Sequence, residues 1–399
     1  MARTLIVAAL LALALPLGVA GAPVGSGAAG GAPSLHEVAV LTLGDDTRAG
    51  FDTASMDVAT AVAVQREAAE ARIDRYALEA ELDQLSSTDA RKARLFEAAT
   101  EVEITIAGLR DDDRQLRAAY AAREIEVGTF VRGMARLDAR AGELRSTLDV
   151  IQREADEVPE FSLRGRVRLL DASLIGFEGP VRERALEALR GESPATRVYV
   201  QASADGAVLA TIEDGRYVRE AYRADHRDID TVRSISLNQA AQRTSELYPV
   251  AYNSTVSIRT GINGLSGGLF RIDIELQEGL VTAYLDGATS DVFFEVQERR
   301  LDLLGPRPGV VARANGTQLL VNRSYPGGPL EVAVTANATG EPRSTTVFVD
   351  GHPVETGADG TAWTLTPSKV SFEVTAVGPE GNVTVSVRPF APARVDAEG

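Results

Sequence analysis

The residues of this chain with the most explicit chemistry are acceptors for asparagine-linked glycans. Five of its seven asparagines stand in N-x-[ST] sequons: Asn253-Ser-Thr, Asn315-Gly-Thr, Asn322-Arg-Ser, Asn337-Ala-Thr and Asn382-Val-Thr. A sequon is useful only where a glycosyltransferase reaches an exposed loop outside the cytoplasm. The five therefore predict an exported protein whose C-terminal part faces outward. Other motifs carry less. Gly264-Leu-Ser266-Gly-Gly268 matches G-x-S-x-G, but a nucleophile elbow joins a strand to a following helix, and this segment precedes a strand, so a hairpin loop is expected. Gly25-Ser-Gly27-Ala-Ala-Gly30 has dinucleotide-loop spacing yet opens no helix. His36, His226 and His352 are the only histidines and fall in three separate segments, which argues against a triad or a His-based metal site. Asp111-Asp-Asp113 and the group Asp225, Asp228 and Asp230 lack EF-hand spacing and read as solvated turns. No catalytic, cofactor-binding or metal-ligating residue is predicted, and the expected class is non-enzymatic.

The N-terminus agrees with export. Arg3 supplies a positive n-region, Leu5 to Leu15 an apolar h-region, and Ala20-Gly-Ala22 a small-residue cleavage site, so residues 1–22 are expected to be a signal peptide. The uncharged stretch from Thr4 to Val24 is also about the 20 residues a membrane span needs. Membrane association is therefore expected only if it stays uncleaved. The absence of cysteine excludes disulfide scaffolding, thiol catalysis and lipobox anchoring.

Net charge is −16, and 39 of the 41 basic side chains are arginine, Lys92 and Lys369 being the exceptions. No basic stripe exists to displace phosphate counterions, so nucleic acid is not an expected partner. Acid-rich, lysine-poor usage resembles that of salt-loving archaea, in which surface carboxylates keep a protein hydrated in concentrated salt.

The elements that must position these residues divide the chain. Residues 23–50 read as a Gly/Ala/Pro/Ser-rich leader with a short strand at Leu35 to Leu43, and 51–192 as a helical, coiled-coil-like domain. In its second helix Leu95, Ala99, Val102, Ile106, Leu109, Asp113, Leu116 and Tyr120 step by four and three, as do Phe130, Met134, Leu137, Ala141, Leu144, Leu148 and Ile151 in the third. The first, about Thr53 to Leu85 with Asp52 as N-cap, places Val58, Val62, Ala69, Ile73 and Tyr76 on one face. Thr88 is the expected cap of the second. Short connections make neighbours antiparallel, so a helical hairpin or three-helix bundle acting as a spacer is predicted. Two shorter helices, Ser162 to Leu174 and Pro180 to Arg190, close this region.

Residues 195–304 read as an α+β module. Its helix Leu237 to Pro249, strand Phe270 to Leu276 and hairpin Val281 to Val296, with Asp286 and Thr289 in a D-x-x-T pattern and Ser290 where a glycine is usual, resemble a PepSY-type module. Strands are also expected at Ser254 to Arg259, and at Arg197 to Tyr222 across two Asp-Gly turns. Residues 308–391 alternate as a β-sandwich should, and Val347-Phe-Val-Asp-Gly351 through Thr366 is similar to carboxypeptidase-regulatory-like and other immunoglobulin-like surface modules. Residues 392–399 form a tail. As a whole the chain resembles haloarchaeal secreted or surface proteins with domains of unknown function. The expected fold class is multidomain α + β: helical hairpin or three-helix bundle, middle α+β module, C-terminal β-sandwich. The expected role is that of a helical spacer presenting binding modules to a protein partner at the cell surface; alternatively, the PepSY-type resemblance implies a regulator or inhibitor of an extracellular or membrane protease acting through that module.

The excess of acidic side chains predicts self-repulsion that salt relieves, because the Debye length falls from about 30 Å at 0.01 M to about 3 Å at 1 M. The melting temperature, followed by circular dichroism, should rise across that range. A flat response would remove the halophilic interpretation.

Overall fold

The computed structural model describes residues 39–44, 46–229, 231, 234–249, 259–305, 307 and 309–395. The signal peptide, most of the leader, Asn253, Asp230, His36 and the last four residues lie outside it. The described chain begins with an extended segment at residues 39–44 and strand β1 (Arg48–Ala54). Helices α1 (Val58–Gln84), α2 (Thr88–Ala121), α3 (Val127–Asp156), α4 (Arg164–Leu174) and α5 (Pro180–Arg190) follow. Asp57 and Ser87 cap α1 and α2 by accepting the backbone N–H of Thr60 and Ala90, each one or more residues from the expected Asp52 and Thr88. Pro180 at the first turn and Gly191, left-handed at φ 77°, bracket α5. Among the described residues no helix is long and apolar enough to cross a membrane.

Next come β2 (Thr196–Ala202), β3 (Gly206–Glu213), β4 (Arg216–Arg223), α6 (Leu237–Leu247), β5 (Arg259–Gly264), β6 (Leu269–Leu276), β7 (Gly279–Asp286) and β8 (Val292–Arg300). They form one antiparallel eight-stranded sheet in the order β1-β2-β3-β4-β8-β7-β6-β5. Helices cover one face. Their 4-3 seams are buried as the spacing requires, Leu95, Ile106, Leu109, Phe130 and Ile151 among them, but the same core continues into Val198, Val200 and Leu209 of the sheet. The helical segment is thus a covering layer that shares its core with the sheet, and not a free-standing spacer.

Two elements differ from those the sequence predicts. The strand that joins the N-terminal region to the sheet is β1, where the reading placed the end of the leader and the start of a helix, and not the 35–43 segment, whose described part is extended and makes only an isolated bridge. The pattern Arg48-Ala-Gly-Phe-Asp-Thr-Ala is too polar to read as a strand. It forms because Phe51 stacks edge-on against Tyr199, opposite it on β2, while Arg48 donates to the carbonyls of Tyr120 and Ile125 at the end of α2. The expected apolar face of α1 is also turned outward: α1 packs through Thr60, Val64, Leu78 and Leu82, leaving Val58, Val62, Ile73 and Tyr76 exposed.

The opposite face of the sheet carries α6, residues 39–44 and the C-terminal module. Ser236 and Gln239 form a reciprocal capping box at the start of α6. The module contains β9 (Gly309–Ala314), β10 (Thr317–Asn322), β11 (Pro329–Ala336), β12 (Thr346–Val349), β13 (His352–Glu355), β14 (Thr361–Leu365), β15 (Phe372–Ala376) and β16 (Val383–Val387). Two four-stranded sheets, β14-β11-β10-β9 and β13-β12-β15-β16, enclose a core of Leu319, Val332, Val347, Phe372 and Val374. It meets the large sheet where Gly327, at φ 75°, passes so close to Tyr199 that a Cβ would lie 2.5 Å from the ring.

Glu295 of β8 lies fully buried on this face. Its carboxylate accepts from Leu41 N at 3.1 Å, Arg219 Nη1 at 3.1 Å, Tyr248 Oη at 2.7 Å and Gln297 Nε2 at 3.0 Å. Burial pushes its pKa up while Arg219 and Tyr248 pull it down. Glu295→Gln leaves Arg219 buried without a counter-charge and should cost about 3–5 kcal/mol in urea unfolding. The double variant Glu295→Gln/Arg219→Met should cost less than Glu295→Gln alone. A neutral single variant would show that the pair contributes nothing.

Candidate functional site

A groove of about 1180 Å³ is bounded by α1, α2, α3, α5 and the sheet. It exists because α1 and α2 diverge on either side of α3 instead of packing along their lengths. Thr282 and Tyr284 of β7 and Phe294, Val296 and Glu298 of β8 line its sheet side; twelve carboxylates and five arginines are among the lining residues. Ion pairs brace the walls: Arg75 with Glu143 at 2.8 Å, Arg94 with Glu81 at 2.8 Å, and Arg145 with Glu178 at 2.7 Å.

At the inner end, two carboxylates meet the N-terminus of α5, where unsatisfied N–H groups and the helix dipole favour anions. Asp138 accepts from Gly179 N at 2.9 Å, and Glu220 of β4 accepts from Val181 N at 3.0 Å and Arg182 Nε at 2.7 Å. Gly179 is required here, because a Cβ would sit 2.0 Å from Glu220 Oε2. Burial, opposed by the Gly179 N–H and Arg182 and reinforced by Glu220 and Glu178, raises the Asp138 carboxyl to about 7. Burial raises Glu178 and Glu220 as well, against Arg145 and Arg182 respectively. The arrangement holds a proton near neutrality and docks α5 on the sheet.

Ser266 lies in a 3₁₀ turn in the β5–β6 hairpin, with no helix after it. His226 Nδ1 meets the Val292 carbonyl at 2.8 Å, and His352 lies on β13. Asp111, Asp112 and Asp113 are not solvated turns. They lie within α2, paired with Arg114, Arg140 and Arg117, and Asp113 is buried, which explains the one polar member of that seam. Arg117 also donates to the Ala204 carbonyl and lies over the Tyr222 ring, tying α2 to the β2–β3 hairpin. Asp225 is paired with Arg223, and Asp228 Oδ1 accepts from Thr231 N. In the D-x-x-T hairpin, Asp286 accepts from Ala288 N and Asp228 N, Thr289 donates to the His226 carbonyl, and Ser290 adopts φ 65°, a glycine-type conformation.

Three of the four described sequons converge at one pole of the sandwich. Asn315 and Gly316, both left-handed, turn β9 into β10. Asn315 Nδ2 donates to the Asn382 carbonyl at 2.9 Å, and Asn337 N donates to the Gly316 carbonyl at 3.0 Å. Asn315, Asn337 and Asn382 are exposed, and so are the sequon hydroxyls Thr339 and Thr384, whereas Thr317 is buried. Asn322 lies at the far end of β10, half-buried, donating to Glu331 at 2.8 Å. The groove was not legible in the sequence, since its walls come from five elements; the convergence of the sequons was invisible for the same reason.

Comparison with known proteins follows this anatomy. The C-terminal module matches an archaeal fibronectin-III type-like domain over residues 309–385. Residues 1–194 match a domain of unknown function (DUF7096), and residues 198–305 a family of unknown function (DUF7094). The chain is thus an archaeal multidomain protein of mixed α and β structure with a C-terminal module of the immunoglobulin and fibronectin-III kind. No curated protein matches it. The limit between the first two matches falls just after α5, yet β1, from the first, is the edge strand of the sheet in the second.

Asp138 gives this site a pH signature. Below about pH 4 its carboxyl is protonated folded or unfolded; from there to about 7 only the unfolded chain has released the proton, so its contribution to stability falls as pH rises and levels above 7. Asp138→Asn keeps an acceptor for Gly179 N–H without the charge. It should raise the melting temperature at pH 8 more than at pH 4. An equal shift at both would refute the raised pKa.

Proposed function

We propose that the chain is a non-enzymatic extracytoplasmic protein, secreted or held at the cell surface, in which a helix-covered sheet carries a glycosylated fibronectin-type module and offers its faces to a protein partner. The observation that carries this reading is the meeting of Asn315, Asn337 and Asn382 at one pole of the sandwich, from positions far apart in sequence. Glycans there project from turns and leave both strand faces uncovered. The export signal over residues 1–22 and a salt-rich setting belong to the same reading. The acidic composition and the match to an archaeal module support that setting. The helices serve as a cover for the sheet in place of the expected spacer.

A second reading, regulation of an extracellular or membrane protease, rests on the PepSY-like segment. Helix α6 packs beside the β5–β8 half of the sheet, and Ser290 keeps the glycine-type backbone of the resembling hairpin. Cross-linking in living cells followed by partner identification separates the two: a protease as principal partner would favour the second.

Glycopeptide mapping of the native protein should find residues 1–22 removed, glycans on Asn337 and Asn382, whose sequons are exposed at both ends, and a bare Asn322. Bare asparagines throughout, with Met1 retained, would sink the export reading.

A further inference from the structure

We propose that the outward face of α1 is a self-association surface, on which a second copy of the chain docks through its own α1, antiparallel, about a two-fold axis near residue 68. The face is apolar and unpartnered within the chain. Val58, Val62, Ile73 and Tyr76 are 64%, 59%, 65% and 68% exposed, and Ala69 between them and Ala80 one turn beyond are exposed too. At 3.6 residues per turn these positions form one stripe along a 27-residue helix about 40 Å long. Single exposed apolar residues need no explanation; an ordered row of them does.

The row commits to an occupant because it is symmetric. A two-fold interface brings residue i against residue j and j against i. Around residue 68, Val62 falls opposite Ile73 of the other copy, and Val58 opposite Tyr76. Arg66 and Glu70 lie one turn apart on the same flank of the stripe, and a dyad perpendicular to both helices sets each flank against the same flank of the other copy. Arg66 of each copy therefore meets Glu70 of the other. Within one chain they form only an exposed pair, 3.7 Å apart with side chains 68% and 60% accessible, a type of pair that contributes little. A parallel arrangement, whose dyad runs along the helices, would set the flank that carries Arg66 and Glu70 against the opposite flank of the other copy and leave that charge pair unmatched. An unrelated apolar partner would require no such symmetry.

The test uses the full chain at about 1 M salt, where the Debye length of about 3 Å screens repulsion between two acidic copies. Sedimentation velocity should show a dimer. Val62→Asp/Ile73→Asp should be monomeric with an unchanged circular dichroism spectrum, since neither side chain is in the core. Repeated at about 0.15 M salt, where the Debye length of about 8 Å leaves contacting charges little screened, Arg66→Glu should weaken association about tenfold through like-charge contact, and Arg66→Glu/Glu70→Arg should restore it. As the chain has no cysteine, a mixture of Val62→Cys and Ile73→Cys proteins should form a disulfide-linked pair that neither forms alone. A monomeric wild type, a dimer indifferent to the aspartates, or a disulfide in Val62→Cys alone would each overturn the proposal.

Discussion

A carboxylate with no exposed surface on an eight-stranded sheet must be surrounded by donors, because burying an unpaired charge costs more than the marginal stability of a domain supplies. Glu295 draws its donors from four parts of the chain: the extended segment at Leu41, Arg219 of β4, Tyr248 after α6, and Gln297 two residues along its own strand. Gln297 needs only the strand itself, but the other three reach Glu295 only when β4 and β8 are paired and α6 and residues 39–44 lie on the same face. The Arg219–Glu295 pair therefore links correct assembly of the middle sheet to neutralisation of one charge. A mispaired register would turn Glu295 to the helical face, away from these donors.

The helical face repeats the device with different residues. Arg182 of α5 and Glu220 of β4 form a pair with about 1% of each side chain exposed, which joins α5 to the sheet by an ionic contact, while Arg117, paired with Asp113 within α2, ties that helix to the sheet through the Ala204 carbonyl and the Tyr222 ring. Arginine suits this task, since its fork bonds a carboxylate and a backbone carbonyl together, as Arg182 does with Glu220 and Gly176. The near-absence of lysine, read at first as a mark of a salt-rich environment, thus has a structural use inside the protein.

Periodicity made the long helices legible: the 4-3 seams of α2 and α3 are buried, and α5 begins and ends at Pro180 and Arg190 as the Pro and Gly signals indicate. The Asp-Gly turns and alternating runs likewise located β2 to β4, β6 to β8 and most of the sandwich. Tertiary placement was not legible. Strand β1 lacks apolar alternation and forms through pairing with β2, a partner far along the chain. The stripe of α1 looks like a core seam because amphipathicity shows that a face is apolar without showing what covers it. Strands β9 and β10 were missed around Asn315-Gly316, a turn signal read only as a sequon. The groove depends on the divergence of two helices, which no local pattern encodes.

The two ends of the described chain lie side by side. Val40 N donates to the Ala393 carbonyl at 2.9 Å and Val395 N to the Val40 carbonyl at 3.2 Å, closing a short parallel bridge between Val40 and Arg394. The path from first to last described residue is thereby a closed loop, and tension applied between these ends bypasses the helices, the sheet and the sandwich. It falls first on this two-bond clasp and on the anchorage of Leu41 to Glu295. The clasp acts as a mechanical fuse, sparing the folded layers until it opens.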